Sequence, residues 1–124
     1  MRFDEYRKHD AVALAALVAK GDITAGELIE LAIARAEQVN PAINAIVHTQ
    51  YPRARAAIAA GLPNGPLRGV PYLLKDLSIF EKGVPAGLGS ALYGNFVPNH
   101  DSAYTERCKR AGLVIFGRSI TPEL

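Results

Sequence analysis

One lysine, Lys75, ends an almost continuously apolar run and is the residue of this chain best suited to chemistry. Residues 69–77 have the sequence GVPYLLKDL, which is typical of a strand covered on both faces. Strand alternation would place Lys75 on one face with Leu73 and Leu77. An ammonium group buried there is costly unless it is paired, and desolvation favours the neutral amine. Because a neutral lysine is a competent general base, Lys75 is a candidate for proton abstraction.

The same pattern leaves a simpler interpretation of Lys75 open. At the end of a strand its side chain could extend into water or pair with an acid elsewhere, since structural ion pairs also involve lysines. Its neighbour Asp76 would lie on the opposite face with Tyr72 and Leu74. That carboxylate is expected either to orient local backbone or pair with a cation, or else to be solvated at the strand end. On periodicity alone these alternatives stay open.

Other nucleophilic side chains have simpler structural explanations. Ser90 lies in a glycine-rich turn and lacks the Gly-x-Ser-x-Gly elbow, because Leu92 occupies its last position. The run HDS at positions 100–102 contains the residue types of a hydrolase triad, but Asp101 or Ser102 is better suited to capping the next helix. Cys108 is expected to be a partly buried, inert thiol on that helix. We therefore expect none of these residues to be the nucleophile.

Four helices and three strands are predicted around these positions. Apolar residues at three- and four-residue spacing indicate helices, and Thr24 with Glu27 matches the capping box that opens the second helix. Asn40 before Pro41 is expected to end that helix, because the residue before proline avoids the helical region. Short apolar runs indicate the strands. The predicted helices span residues 11–20, 25–39, 53–60 and 102–111, and the predicted strands span residues 44–48, 70–77 and 113–116.

Two further stretches stand apart from this pattern. Residues 78–100 carry little regular signal, and an irregular segment longer than about 15 residues inside a compact domain is often functional. Thr121, Pro122 and Glu123 are typical of a helix start, yet only Leu124 follows, as expected of a shortened polypeptide or of a frayed tail. The predicted fold class is therefore α/β, with a helical N-terminal portion followed by the first strands of a mixed sheet.

Composition excludes several classes of protein. The 124 residues, 49% hydrophobic and 21% charged, suffice for one domain with a core and exclude an intrinsically disordered chain. A net charge of +2 without a basic run argues against a nucleic-acid partner. No apolar run approaches the roughly twenty residues of a membrane span, so no membrane partner is expected. With one cysteine and three dispersed histidines, we expect no disulfide, metal or cofactor, and a cytoplasmic location.

The segment around Lys75 resembles the one that carries the catalytic lysine in the amidase signature family. Flanking segments agree with that family in order and spacing. Their residue sequences most resemble those of the branch of 6-aminohexanoate-cyclic-dimer hydrolases. The resemblance covers essentially the whole chain and implies a partial amidase signature fold. The similar runs are NPAINA at residues 40–45, GS at 89–90, VP at 97–98, HDS at 100–102, RAGLVIFGR at 110–118 and TPEL at 121–124.

Membership of that family implies hydrolysis of a carboxamide through a Ser–Ser–Lys triad. Lys75 would be unprotonated and hydrogen-bonded to a serine held by a cis peptide bond. That serine would relay the proton from a second serine, which attacks the carbonyl to form an acyl-enzyme that water then hydrolyses. Backbone N–H groups of a glycine-rich loop would stabilise the oxyanion. The implied partner is a small-molecule amide substrate.

The sequence departs from the family in one decisive respect. The Gly/Ser-rich signature that carries both serines normally lies after the point where these residues end, and no GGSSG-like run occurs within them. Lys75 is therefore the single catalytic position that carries over, and residues 1–124 are expected to be the amino-terminal part of one amidase domain. Smaller departures are Arg118, Ser119 and Ile120, where many members have Lys, Thr and Asn.

The sequence thus predicts the amino-terminal part of an amide hydrolase, inactive alone because the nucleophile is absent. One alternative is a shortened, non-catalytic paralogue that acts as an interaction module through its exposed apolar surface. Another is part of a glutamine-amidotransferase A subunit that acts on aminoacyl-tRNA. What the gene encodes after Leu124 would separate the first two, because a Gly/Ser-rich continuation favours the enzyme and a stop codon favours the module.

Overall fold

Helices cover both faces of a small mixed sheet in a computed structural model of the chain, which describes residues 1–123. A short 3₁₀ helix at Ala91–Tyr93 interrupts the otherwise irregular segment between residues 76 and 102. The helices are α1 (Phe3–Tyr6), α2 (Ala11–Lys20), α3 (Ala25–Ile43), α4 (Tyr51–Ala60) and α5 (Ala103–Arg110), and the strands are β1 (Ile46–Thr49), β2 (Pro71–Lys75) and β3 (Val114–Ser119).

Side-chain caps fix where α2 and α3 begin. The carboxylate of Asp10 accepts a hydrogen bond from the amide of Ala13 at 2.8 Å. Thr24 and Glu27 form the predicted capping box: Thr24 Oγ1 accepts from the Glu27 amide at 3.1 Å, and Glu27 Oε2 accepts from the Thr24 amide at 2.8 Å. Gly21 ends α2 in the left-handed conformation. The prediction of α2 and of the start of α3 is confirmed.

The predicted end of α3 is wrong, because the helix continues through Pro41 to Ile43. Proline removes one backbone donor, a small loss only one turn before the end of a helix. The side chain of Asn40 then takes over the backbone groups of the exit. Its Oδ1 accepts from the amides of Ala45 and Ile46, both at 2.8 Å, and its Nδ2 donates to the Ile46 carbonyl at 3.0 Å. The residue expected to end the helix instead connects it to β1.

β3 is the central strand of the sheet, antiparallel to β1 and parallel to β2. A parallel pair needs a long crossover, and here the chain between β2 and β3 includes α5. All three predicted strands are present with shifted ends. β3 extends beyond its apolar run to Ser119, because the polar Arg118 within it has internal partners, described below.

An extra residue in β3 changes which face its last side chains occupy. Tyr72 is opposite Ile115, but Leu73 is opposite Gly117, so Phe116 is bulged out of the ladder. Directly paired residues share a face, and Leu74 is opposite Arg118. The bulge therefore places Arg118 on the α5 side of the sheet instead of the side that simple alternation from Phe116 would give.

Three clusters of buried residues form the core. The largest lies between α3, α4 and β3, the second joins α2 to α3, and the third lies under α5. Within residues 1–123, no helix is both long and apolar enough to cross a membrane. The clusters consist of Ile29, Ala32, Ile33, Ala36, Ala54, Val114 and Phe116; of Leu14, Ala15, Ile23, Leu28 and Val70; and of Leu74, Cys108 and Ile115.

Residues 121–123, whose types are typical of a helix start, are not helical, and Leu124 lies outside the described residues. These residues instead pack beneath a glycine turn. A Cβ built on Gly89 would lie 2.6 Å from the carbonyl oxygens of both Thr121 and Pro122. Ser90 Oγ donates a hydrogen bond to Glu123 Oε1 at 2.9 Å. The irregular segment and the last residues therefore form one packed unit.

Candidate active site

Lys75 is the last residue of β2, opposite Ser119 in the ladder, and its side chain is exposed. Of the alternatives for Lys75, extension into water at the strand end is therefore the one observed, and burial between two covered faces is wrong for the described residues. β2 is an edge strand, and α3 and α4 cover its Leu73 but not the end of the strand. None of the ion pairs among residues 1–123 includes Lys75. Its amine is thus held on a fixed backbone and is open to a further group.

Asp76, the residue that follows Lys75, forms a buried ion pair with Arg118. Arg118 Nε donates to Asp76 Oδ1 at 3.1 Å; the arginine is fully buried and Asp76 nearly so. Of the alternatives for Asp76, pairing with a cation is confirmed and solvation at the strand end is wrong. Removing either partner would leave an uncompensated buried charge, which is strongly destabilising.

The same guanidinium also binds the backbone on either side of Asp76. Arg118 Nη2 donates to the carbonyl of Ile79 at 2.6 Å and to that of Lys75 at 3.3 Å. Between these carbonyls lies Ser78, a non-glycine residue with φ +55°. Nη1 is buried and has no hydrogen-bond partner among residues 1–123. One side chain of β3 therefore fixes the whole turn that follows Lys75.

A second buried charge, Glu81, lies where the irregular segment packs against α4 and α5. Gln50 Nε2 donates to Glu81 Oε2 at 2.8 Å. Two cations approach its other oxygen: Lys109 Nζ at 3.2 Å and Arg53 Nε at 3.4 Å. Lys109 also contacts Asp101 at 2.8 Å. The network joins three parts of the chain that are distant in sequence, and no periodic pattern could have indicated it.

Asp101 and Ser102 have the structural roles expected of helix-entry residues. Ser102 is the N-cap of α5 and accepts from the amide of Thr105. Asp101 accepts from Lys109 and from the Lys82 amide, each at 2.8 Å. Partial burial alone would raise the pKa of the Asp101 carboxyl, but these two hydrogen bonds, together with the positive charges of Lys109 and Arg53, hold the pKa below its usual value. The run HDS is therefore a helix entry, and no triad is assembled from it.

Ser90 and Cys108 also occupy the structural positions expected of them. Ser90 is the N-cap of the 3₁₀ helix, where its Oγ accepts from the Leu92 amide at 3.3 Å. Cys108 is buried on α5, and burial raises the pKa of its thiol, which disfavours the nucleophilic thiolate. Across the described chain, no three His, Cys, Asp or Glu side chains are grouped so that they could hold a metal ion.

The chain is similar to proteins of a known family. The model of the amidase family matches residues 27–124, which include Lys75, Asp76 and Arg118. The chain therefore belongs to the amidase family.

Among curated relatives, the chain is similar to the 6-aminohexanoate-cyclic-dimer hydrolase of Paenarthrobacter ureafaciens, with 38% identity over 117 residues. That match covers 93% of this chain and 23% of the relative. The chain is also similar to the A subunit of the glutamyl-tRNA(Gln) amidotransferase of Streptomyces coelicolor, with 35% identity over 119 residues, 90% of this chain and 24% of that protein. It thus spans about a quarter of the length of these relatives.

Solved structures agree with the sequence matches. The structure of 6-aminohexanoate cyclic dimer hydrolase superposes with a TM-score of 0.83 at 38% identity, covering 93% of this chain and 24% of that one. A bacterial aryl acylamidase of the amidase signature family superposes with a TM-score of 0.80 at 29% identity, covering 92% and 25%. The predicted family and the predicted α/β fold, a partial amidase signature fold, are both confirmed.

Proposed function

We propose that these residues form the amino-terminal part of an amidase that hydrolyses a carboxamide, and that Lys75 is the general base of its Ser–Ser–Lys triad. The observation that supports this most is the position of Lys75. It is the last residue of a strand inside the segment matched by the amidase family. Its amine is exposed, and its backbone carbonyl accepts a hydrogen bond from Arg118. The chain matches about a quarter of its relatives, so both serines would come from polypeptide outside these 124 residues.

To act as the general base of the proposed triad, Lys75 must meet two requirements. Its amine must be neutral to accept a proton through the bridging serine, and it must be directed at that serine. The amine is exposed in the described chain, so the polypeptide that supplies both serines would also have to cover the end of β2 and place the bridging serine against Lys75. The isolated 124-residue chain is therefore expected to show no amide hydrolysis.

A chimera tests the proposal. The homologous amino-terminal region of the Paenarthrobacter 6-aminohexanoate-cyclic-dimer hydrolase would be replaced by this chain, and hydrolysis of the cyclic dimer measured. We expect turnover by the chimera and a fall in kcat of about 10²–10⁴-fold in its Lys75→Met variant, the range for loss of a general base. Lys82→Met is the matched control, because Lys82 is an exposed lysine on the following loop.

Two results would contradict the proposal. One is a Lys75→Met chimera as active as the unmodified chimera, because the base would then lie elsewhere. The other is amide hydrolysis by the isolated chain, because it would require a nucleophile within these residues.

A second candidate function rests on the 35% identity to the A subunit of a glutamyl-tRNA(Gln) amidotransferase. In that case the amide would be glutamine, and its ammonia would be passed to an aminoacyl-tRNA. A second chimera, with the Streptomyces protein as host, separates the two candidates. Higher kcat/KM for glutamine in that host than for the cyclic dimer in the first would favour the amidotransferase.

A further inference from the structure

Arg118 is an unusual residue for the middle of a sheet, since it is a fully buried charge at the end of an apolar strand. Burying a guanidinium costs free energy that only well-placed partners offset. Here the partners are a carboxylate and two backbone carbonyls, all within the five residues that begin with Lys75. The charge therefore stabilises one short turn and not the general packing of the sheet.

The register of the sheet directs Arg118 at this turn. The bulge at Phe116 places Arg118 opposite Leu74, on the face that Asp76 shares. Without the extra residue, alternation would place Arg118 on the opposite face with Phe116, and the ion pair could not form. The Asp76 amide also donates to the Ser119 carbonyl at 3.0 Å, which continues the ladder one residue past Lys75.

We infer that Arg118, together with Asp76, is a positioning residue for Lys75. The guanidinium of Arg118 donates to the carbonyls of Lys75 and Ile79 and to the Asp76 carboxylate between them. It therefore sets the position of the Lys75 backbone and the direction of the Lys75 side chain. The catalytic consequence rests on the proposed function of Lys75; the effect on its backbone does not. A displacement of about 1 Å in a catalytic group can cost roughly 10²-fold in rate.

Amide hydrogen exchange on the 124-residue chain tests the structural half. In Arg118→Met, the Asp76 amide should exchange at least about tenfold faster relative to the amides of α3, as expected for loss of hydrogen bonds to a charged group. Arg118→Lys should restore most of the protection, because an ammonium keeps the charge opposite Asp76. The control is Arg55→Met, which removes an arginine from an exposed pair with Glu30.

Kinetics of the chimera described above test the catalytic half. Arg118→Met should lower kcat about 10²-fold with KM unchanged, because the substrate still binds while the base is misplaced. Arg118→Lys should recover most of the loss, and Arg55→Met should match the unmodified chimera. Should Arg118→Met fail to fold, the double variant of Arg118→Met with Asp76→Asn carries the test, because it removes both buried charges together and leaves neither unpaired.

The outcomes separate this inference from the proposed function. An inactive unmodified chimera, or an active Lys75→Met chimera, counts against the proposed function and leaves the exchange experiment to decide the positioning of the backbone. If Lys75 is required but a folded chimera with Arg118→Met, alone or together with Asp76→Asn, keeps its full kcat, the positioning role is overturned. Unchanged exchange at Asp76 in Arg118→Met overturns it as well.

Discussion

At the residue scale, burial follows from partners more than from residue type. The apolar run before Lys75 left both a buried and a water-exposed lysine open; Lys75 is exposed, whereas Arg118 is fully buried. The arginine and its carboxylate partner are 42 residues apart in sequence. A local pattern reports which positions are apolar, but a long-range ion pair becomes visible only once the strands have a register. Arg118 could be noticed in the sequence only as a departure from the family pattern.

Tyr72 provides a test of side-chain contacts on the α5 side of the sheet. Its hydroxyl lies 2.6 Å from that of Tyr104, and this hydrogen bond, with partial burial, raises the pKa of Tyr72 to about 12 from an ordinary 10.0. The raised pKa favours the protonated folded state. The resulting contribution to stability is complete below pH 10 and is lost as pH rises from about 10 to about 12.

We therefore expect Tyr104→Phe to bring the pKa of Tyr72 back toward 10 and to remove this pH-dependent contribution. Isotope-edited NMR of the tyrosine ring carbons during an alkaline titration measures the pKa directly. Tyr93→Phe is the control, because Tyr93 lies on the exposed 3₁₀ helix. An unchanged Tyr72 pKa in Tyr104→Phe would show that the two hydroxyls are not bonded.

At the scale of elements, local signals placed most boundaries of the predicted helices within two residues, but they missed the end of α3 and the length of β3. Asp10, Thr24 and Ser102 all cap the helices predicted to follow them, because capping involves residues only a few positions apart. The end of α3 and the length of β3 depended instead on contacts made elsewhere: the Asn40 side chain binds the start of β1, and Arg118 binds the end of β2.

The substitution Gly89→Ala tests whether the irregular segment packs against residues 121–123. Alanine there would adopt an unfavourable left-handed conformation, at about 1–2 kcal/mol, and would also meet two carbonyl oxygens at 2.6 Å. That overlap should cost about 1–3 kcal/mol more, as in overpacked cores. The matched control is Gly21→Ala, because Gly21 has φ +80° but no heavy atom within 4 Å of its Cβ position. Urea unfolding measures both; equal losses would mean that the packing is absent.

At the scale of the whole molecule, the family and the α/β fold followed from the sequence because ordered segments span nearly its full length. The sequence did not predict which apolar surfaces of the chain would remain exposed to solvent. Several large apolar side chains are exposed in and beside the 3₁₀ helix, with Leu92 80% exposed and both Phe96 and Val97 in the same segment. Exposed apolar residues gathered in one segment favour association with another surface.

We predict that the isolated chain self-associates through this segment as its concentration rises. Leu92→Lys should shift sedimentation velocity profiles toward the monomer. Val12→Lys should not, although Val12 is 69% exposed, because it is the single exposed large apolar residue of α2. Equal effects of the two variants would assign association to general hydrophobicity, and a monomer at all concentrations would contradict the prediction.

The central strand of the sheet comes after both of its neighbours in chain order. Within residues 1–123, both β1 and β2 pair only with β3, and Ile46 of β1 has its partner at Ser119. On a ribosome, the helices before residue 61 can emerge and collapse early, while the two edge strands remain without partners until residues 114–119 have emerged. Closing such long loops makes folding slow and leaves strand edges exposed to other chains. A nascent chain of this design would benefit from chaperone protection until β3 clears the exit tunnel.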